Sequence, residues 1–158
     1  MTQPLTIVLL VAATAADGIL AGASLDQSIK QLPARHRMGV VAFSVYSRAS
    51  DLGPGIIWYA ILGIGAAVLT VGVAVVAIFQ GIGLQHTLPI YSAATLAVLH
   101  SLATSQAAPT NFSQRKVVND EAALTTILNR FERWQTLRVI LQVLTFAAIL
   151  WALVSYIS

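Results

Sequence analysis

Few side chains in this sequence could do chemistry, and those few fall at matching depths in apolar runs. Asp17 is the one charged residue between Pro4 and Leu25, and His100 lies in a stretch, Leu52 to Gln114, with no Asp, Glu, Lys or Arg at all. At a helical rise of 1.5 Å per residue, Asp17 and His100 both sit ~20 Å from one end of their runs. Tyr59 and Gln142 sit ~6–8 Å from the opposite end by the same rise, with Arg138 at its edge. A carboxylate, an imidazole, a guanidinium, a phenol and an amide thus share one level. Ionisable groups are costly inside apolar spans and are usually paired or functional there. The layer is either a ligand or catalytic site, or a structural network with Asp17 paired to Arg138 or His100. A third chemistry is haem ligation. His86 and His100 are separated by four helical turns on one face, with Ile90, Ala93 and Ala97 between them. The other histidine is His36, outside the apolar runs. Two-histidine haem sites would therefore require a symmetric dimer, and no haem band is expected.

The rest of the chain narrows the classes further. There is no Cys, so disulfides, thiolate metal sites and thiol redox chemistry are excluded. No phosphate loop, zinc motif, nucleophile elbow or dinucleotide fingerprint is present. No metal ligand set and no cofactor are expected. Net charge is +3, but the basic residues are not interleaved with stacking aromatics, so nucleic acid is not an expected partner. Hydrophobic residues make up 57% and charged ones 9%, with mean hydropathy +0.78. Soluble domains average ~45–50% apolar content.

What positions the polar layer must therefore be a set of membrane helices. The uncharged run from Leu52 to Gln114 is about three times the ~20 residues that one span needs, and turn signals break it in "FQGIGLQHTLP", Phe79 to Pro89. This reading gives an all-α integral membrane bundle of four transmembrane helices over residues 1–158, with spans near 4–25, 54–80, 87–107 and 137–157. The apolar start lacks a basic residue before it and continues past Ala13-Thr14-Ala15, which argues against a cleaved signal peptide. All nine Lys and Arg residues fall in or beside the connections 1–2 and 3–4, and none in the 2–3 turn. Positive residues in short loops stay cytoplasmic. Both termini should then face away from the cytoplasm, with the chain in the cell (inner) membrane.

The two basic connections read as amphipathic segments, about 33–52 and 119–136, on the cytoplasmic side. In the first, Pro33 suits a helix start, and Met38, Val41, Ala42, Val45 and Ala49 recur at helical spacing. Arg35, Arg37, Ser44 and Arg48 fall largely on the other face, so the segment should lie along the inner membrane surface. In the second, Asn119-Asp120-Glu121 is an N-terminal capping pattern, and the apolar face runs on into the last span as one helix of about 40 residues, ~60 Å long. Gly18-x-x-x-Gly22, and Gly65 with Gly72, predict close helix approach. Membrane lipids, a hydrophobic small molecule, and a second copy or a larger membrane complex are the expected partners.

"APTNFSQRK" (Ala108 to Lys116), then "LNRFERWQTLRVILQVLTFAAILWAL" (Leu128 to Leu153), resembles the C-terminal half of the anthrone-oxygenase-like membrane family. The matching positions are Pro109, Asn111, Trp134 and Arg138, and "AGASLD", Ala21 to Asp26, is also similar. The resemblance implies four helices, and the depths counted above put an intramembrane site near the cytoplasmic leaflet. The resemblance also implies oxidation of an aromatic, membrane-soluble substrate by O₂ without a cofactor. A base would remove an acidic proton and the carbanion would reduce oxygen. On that reading His100 is the base with Asp17 as its orienter, Arg138 stabilises the anion, Tyr59 and Trp134 hold the ring, and Asn111 and Gln142 complete the site. The alternative is a non-enzymatic membrane subunit or lipid-binding protein.

Overall fold

The computed structural model describes residues 3–81, 83–117 and 119–158, and these are helical with no strands. Ile82, inside the expected break, and Met1, where the signal-peptide reading begins, lie outside the described residues. The order is α1 (Gln3–Asp26), a π-helical turn (Gln27–Gln31), α2 (Leu32–Met38), α3 (Val40–Ala49), α4 (Gly55–Gln80), α5 (Leu84–Ser113), a 3₁₀ turn (Gln114–Lys116) and α6 (Glu121–Ile157). Among the described residues, three helical stretches are long and apolar enough to cross a membrane: Leu5–Met38, Gly55–Gln80 and Glu121–Ile157.

α1, α4, α5 and α6 pack as a ring in which each touches two neighbours: α1 with α4 and α6, and α5 with α4 and α6. Small side chains let them meet. The main core joins Leu10 and Ala13 of α1, Val73, Ala74 and Ala77 of α4, Ile90 and Ala93 of α5, and Ala148, Ile149 and Ala152 of α6. Most large apolar side chains point outward instead, among them Ile64, Val68, Phe79, Leu102 and Trp151. That is an inverted surface by the standards of a water-soluble domain.

Local chemistry explains the boundaries. Gly81, at φ +61°, takes the left-handed conformation that ends α4, and its N–H reaches back to the Ala77 and Ile78 carbonyls. Asp120 caps α6, accepting from the Ala123 N–H at 3.0 Å. Asn119 stands just outside in the left-handed region, so the cap falls one residue later than the start of the expected pattern. α6 is 37 residues long, about 55 Å at 1.5 Å per residue, well beyond the ~30 Å hydrocarbon core.

The first connection differs from its expected form in two ways. α1 runs through the π turn into α2 without a loop, and the helix breaks at Gly39, at φ +82°. Its polar face also turns inward. Arg35, Ser44 and Ser47 are buried, while Met38 and Val45 are exposed. Arg35 reaches α6, donating to Glu132 Oε2 at 2.6 Å and Asn129 Oδ1 at 2.9 Å. The periodicity sorted the faces without telling which one meets protein. Of the glycines expected at close contacts, Gly18 alone is pressed, with a Cβ there 3.0 Å from the Phe146 ring. Gly22, Gly65 and Gly72 have open space, so they do not mediate close approach.

Candidate functional site: a cleft between α4 and α5

A cleft of about 530 Å³ opens between the first half of α4 and the second half of α5. Its floor comes from α6 through Arg138 and Phe131, from α1 through Leu20 and from the π-helical turn through Gln27. Its rim includes Ile64, Val68, Ser105 and Phe112, all exposed on the outer surface of the ring. The cleft is therefore polar at the back and apolar along its lateral opening. A volume of ~300–1,000 Å³ with a few converging polar groups is typical of small-molecule sites.

Arg138 is fixed by two neighbours. Its Nε donates to Thr104 Oγ1 at 3.0 Å and its Nη1 to Gln135 Oε1 at 2.8 Å. Thr104 in turn donates to the His100 carbonyl at 2.9 Å, binding the cation to the α5 backbone. Nη2 makes no hydrogen bond and the guanidinium has no carboxylate partner among the described residues. His100 lies on the same wall, 5% exposed, with Nε2 lacking a hydrogen-bond partner.

The mouth is built from the turn before α4. Asp51 Oδ2 accepts from Gln27 Nε2 at 2.9 Å. Burial raises the Asp51 carboxyl above its ordinary value of 3.8, the Gln27 hydrogen bond opposes this, and the negative charge of Asp26 adds to it. Arg115 ties this turn to the end of α5 by donating to the Leu52 carbonyl, while its guanidinium covers the Phe112 ring at 5.6 Å. Asn111 lines the cleft and accepts from Gln114 Nε2 at 2.6 Å, and that amide also reaches Ser47 at 3.2 Å.

The expected layer is thus divided. His100, Arg138, Tyr59 and Asn111 line the cleft. Asp17 does not, and it forms no bond to His100 or Arg138. Its carboxylate takes Thr70 Oγ1 at 2.6 Å on Oδ2 and Gln142 Nε2 at 2.9 Å on Oδ1. Gln142 also reaches the Asp17 carbonyl, at 3.2 Å. Equal depth fixes a residue along the membrane normal but not its direction around the helix, and Asp17 points to α4 and α6. Asp17 and Gln142 therefore form a separate buried knot with Thr70. Trp134 lies in another hollow along α6 with Asn129, Arg130 and Arg133. His86 meets the Tyr156 ring edge-on, centroids 6.1 Å apart. No group of three or more metal-binding side chains occurs among the described residues.

Sequence reading missed Thr104, Gln135, Gln27 and Asp51. Two carried a signal: Gln135 precedes Arg138 by three residues, one helical turn, and Asp51 sits just before the Gly53-Pro54-Gly55 start of α4. No protein-family model, curated protein or solved structure matches the chain.

Proposed function

We propose that the chain is a four-span membrane protein that holds an acidic amphiphile, one with a carboxylate or phosphate group in its head, in the cleft between α4 and α5. The observation that carries this reading is Arg138: a guanidinium at the back of a laterally open cleft, held by neutral partners with one nitrogen unengaged. A desolvated cation without a counter-charge favours an anionic ligand. Apolar α4 residues such as Ala67 and Val68 would receive the ligand's hydrocarbon.

α5 is the fourth span in this reading. Its composition is more polar than that of the other three, but much of that polarity is spent internally. Ser92, Thr95, Ser101 and Thr104 each donate to the carbonyl four residues earlier, at 2.8–2.9 Å. Such bonds satisfy a hydroxyl within its own helix. The positions of the nine basic residues support a cleft mouth at the cytoplasmic leaflet of the inner membrane, with both termini on the far side. A reporter after Ser158 should read outside and one near Gln114 inside.

The test uses Gly63, which lines the cleft and where an added Cβ would meet no atom within 4 Å. Gly63→Phe should fill the cleft without disturbing its neighbours. Native mass spectrometry of the purified chain should find a bound acidic amphiphile, and lose it in Gly63→Phe and Arg138→Met. Retention unchanged in both variants would exclude the cleft.

A second reading, cofactor-independent oxidation of an aromatic substrate, is favoured by His100 on the cleft wall beside Arg138. Its imidazole, whose Nε2 is buried without a hydrogen-bond partner, would have to turn toward the cleft to take the substrate proton, and Arg138 would face the resulting anion. Without the expected Asp17 partner, His100 would act without a carboxylate orienter. Oxygen uptake with an anthrone-type substrate, lost in His100→Gln while binding persists, would select catalysis over binding.

A further inference from the structure

The cleft holds a second uncompensated charge. Asp51 lines it beside the mouth, and Arg138 lines it at the back, yet no ion pair joins them. One oxygen of Asp51 is engaged by Gln27 and the other has no hydrogen-bond donor among the described residues. In most sites two such groups in one cavity would neutralise each other. Here they stay apart, with Tyr59 and Ala60 on the wall of α4 and Ala108 on α5.

Their order along the cleft has a definite sense. Asp51 and Gln27 are at the end where α4 begins. Tyr59 lies about one turn further along α4. Thr104, which carries Arg138, lies about two and a half turns back from the Ser113 end of α5. Gly63, Ile64, Ala67 and Val68 continue the apolar wall beyond. From mouth to depth the lining is anion, phenol, cation, and then hydrocarbon on the α4 wall, opposite His100 and Ser101 of α5. A lipid in the adjoining leaflet presents the complementary series: an outer cation, then a phosphate, then acyl chain.

Resting on the amphiphile reading above, we infer that the ligand is a phospholipid with a primary ammonium head, its phosphate on Arg138 and its ammonium at Asp51. The ammonium carries three N–H donors. Four oxygen-bearing side chains line that part of the cleft: the Asp51 carboxylate, the Gln27 amide, the Tyr59 phenol and the Asn111 amide, whose oxygen already accepts from Gln114. A quaternary choline head offers no donor to them. A glycerol head brings no cation to balance Asp51, and a serine head adds a carboxylate that Asp51 repels. Discrimination therefore comes from leaving Asp51 unsatisfied with the wrong head. The single acyl chain that follows the phosphate lies along Ile64 and Val68, and the other remains in the bilayer through the lateral opening.

The test titrates delipidated full-length chain in neutral detergent with chain-matched lysophosphatidylethanolamine, lysophosphatidylcholine, lysophosphatidylglycerol and oleate. Glycerophosphoethanolamine serves as the chain-free control, and native mass spectrometry reads occupancy. The ethanolamine lysolipid should bind at least tenfold tighter than the choline and glycerol lysolipids, and the chain-free head should not compete. Asp51→Asn should erase the tenfold gap between ethanolamine and choline heads. The ranking on the unmodified chain decides the matter even if that variant does not fold. Arg138-dependent binding with oleate or the glycerol head equal to the ethanolamine head would overturn the inference and leave the cleft reading standing. No amphiphile bound in an Arg138-dependent way would overturn both. Competition by the chain-free head would overturn a lipid in favour of a soluble phosphoamine.

Discussion

Arg138 and Thr104 are joined across the α5–α6 seam by one hydrogen bond, Nε to Oγ1 at 3.0 Å. Because the same hydroxyl donates to the His100 carbonyl, the threonine orients the guanidinium and completes the wall at once. Thr104→Val keeps the shape and removes the acceptor. A hydrogen bond to a charged group contributes about 1.5–3 kcal/mol. The variant should therefore hold an acidic amphiphile roughly tenfold or more weakly, while Gln135 keeps Arg138 folded inward. Native mass spectrometry against the unmodified chain measures it, and equal affinity would show that Thr104 does not position the cation.

The Asp17 knot should behave as a structural unit. Thr70→Val and Gln142→Leu each leave one carboxylate oxygen without its donor. In membrane proteins such contacts are worth about 1–2 kcal/mol at most, so each variant should lose about 1 kcal/mol in denaturant unfolding. The double variant should fall short of the sum, since both act on the same carboxylate. Amphiphile retention by the folded fraction should be unchanged.

Arg35 supplies a different kind of fastening, outside the ring core. Its side chain is 4% exposed and that of Glu132 is 37% exposed. Glu132→Ala strands a buried cation with Asn129 as its remaining partner. Fully buried pairs cost about 3–5 kcal/mol when broken, and the partly solvated Glu132 lowers this to roughly 2 kcal/mol. The loss should appear as faster hydrogen exchange and tryptic cleavage around α2, with the ring helices protected as before.

Asp51 sets a pH dependence whose sign follows from its raised carboxyl. Between 3.8 and the folded value, the folded chain keeps the proton that the unfolded chain has released. Folding is then linked to proton binding, so this contribution to stability is full below 3.8 and is lost as pH rises through the folded value. Asp51→Asn should not show that decline. The difference in unfolding free energy between the two chains, measured across mildly acid pH, should grow as pH rises. A difference that shrank with rising pH would contradict the burial of this side chain.

The sequence made the helices legible because the chain's charges are so few and so localised. The Leu52–Gln114 run and the glycines Gly81 and Gly83 that interrupt it mark α4 and α5, while Pro89, expected in the break, lies inside α5; the uncharged C-terminal stretch marks the end of α6. Helical rise alone gave the two polar residues an expected depth, but it carries no direction around the helix. Asp17 turns toward Thr70 and Gln142, and His100 lines the cleft. In a lipid-facing protein large apolar side chains point outward as readily as inward, so periodicity loses its usual inside-outside meaning. The same ambiguity placed Arg35 and Ser44 on the face that proved to be buried.

The π turn at Gln27–Gln31 acts as an angular offset in an otherwise continuous rod. A π turn accommodates one residue more than the α-helix, and one residue corresponds to about 100° of rotation. The wide turn absorbs that surplus residue, so Arg35 keeps the phase it would have on a plain α-helix one residue shorter. Removing Ser28 would let the rod run on as α-helix with Arg35 still turned toward Glu132, whereas winding Gln27–Gln31 as α-helix without the deletion would swing Arg35 by about 100° out of reach. The docking of α2 against α6 thus hangs on one wide turn that takes up a residue the plain helix has no room for.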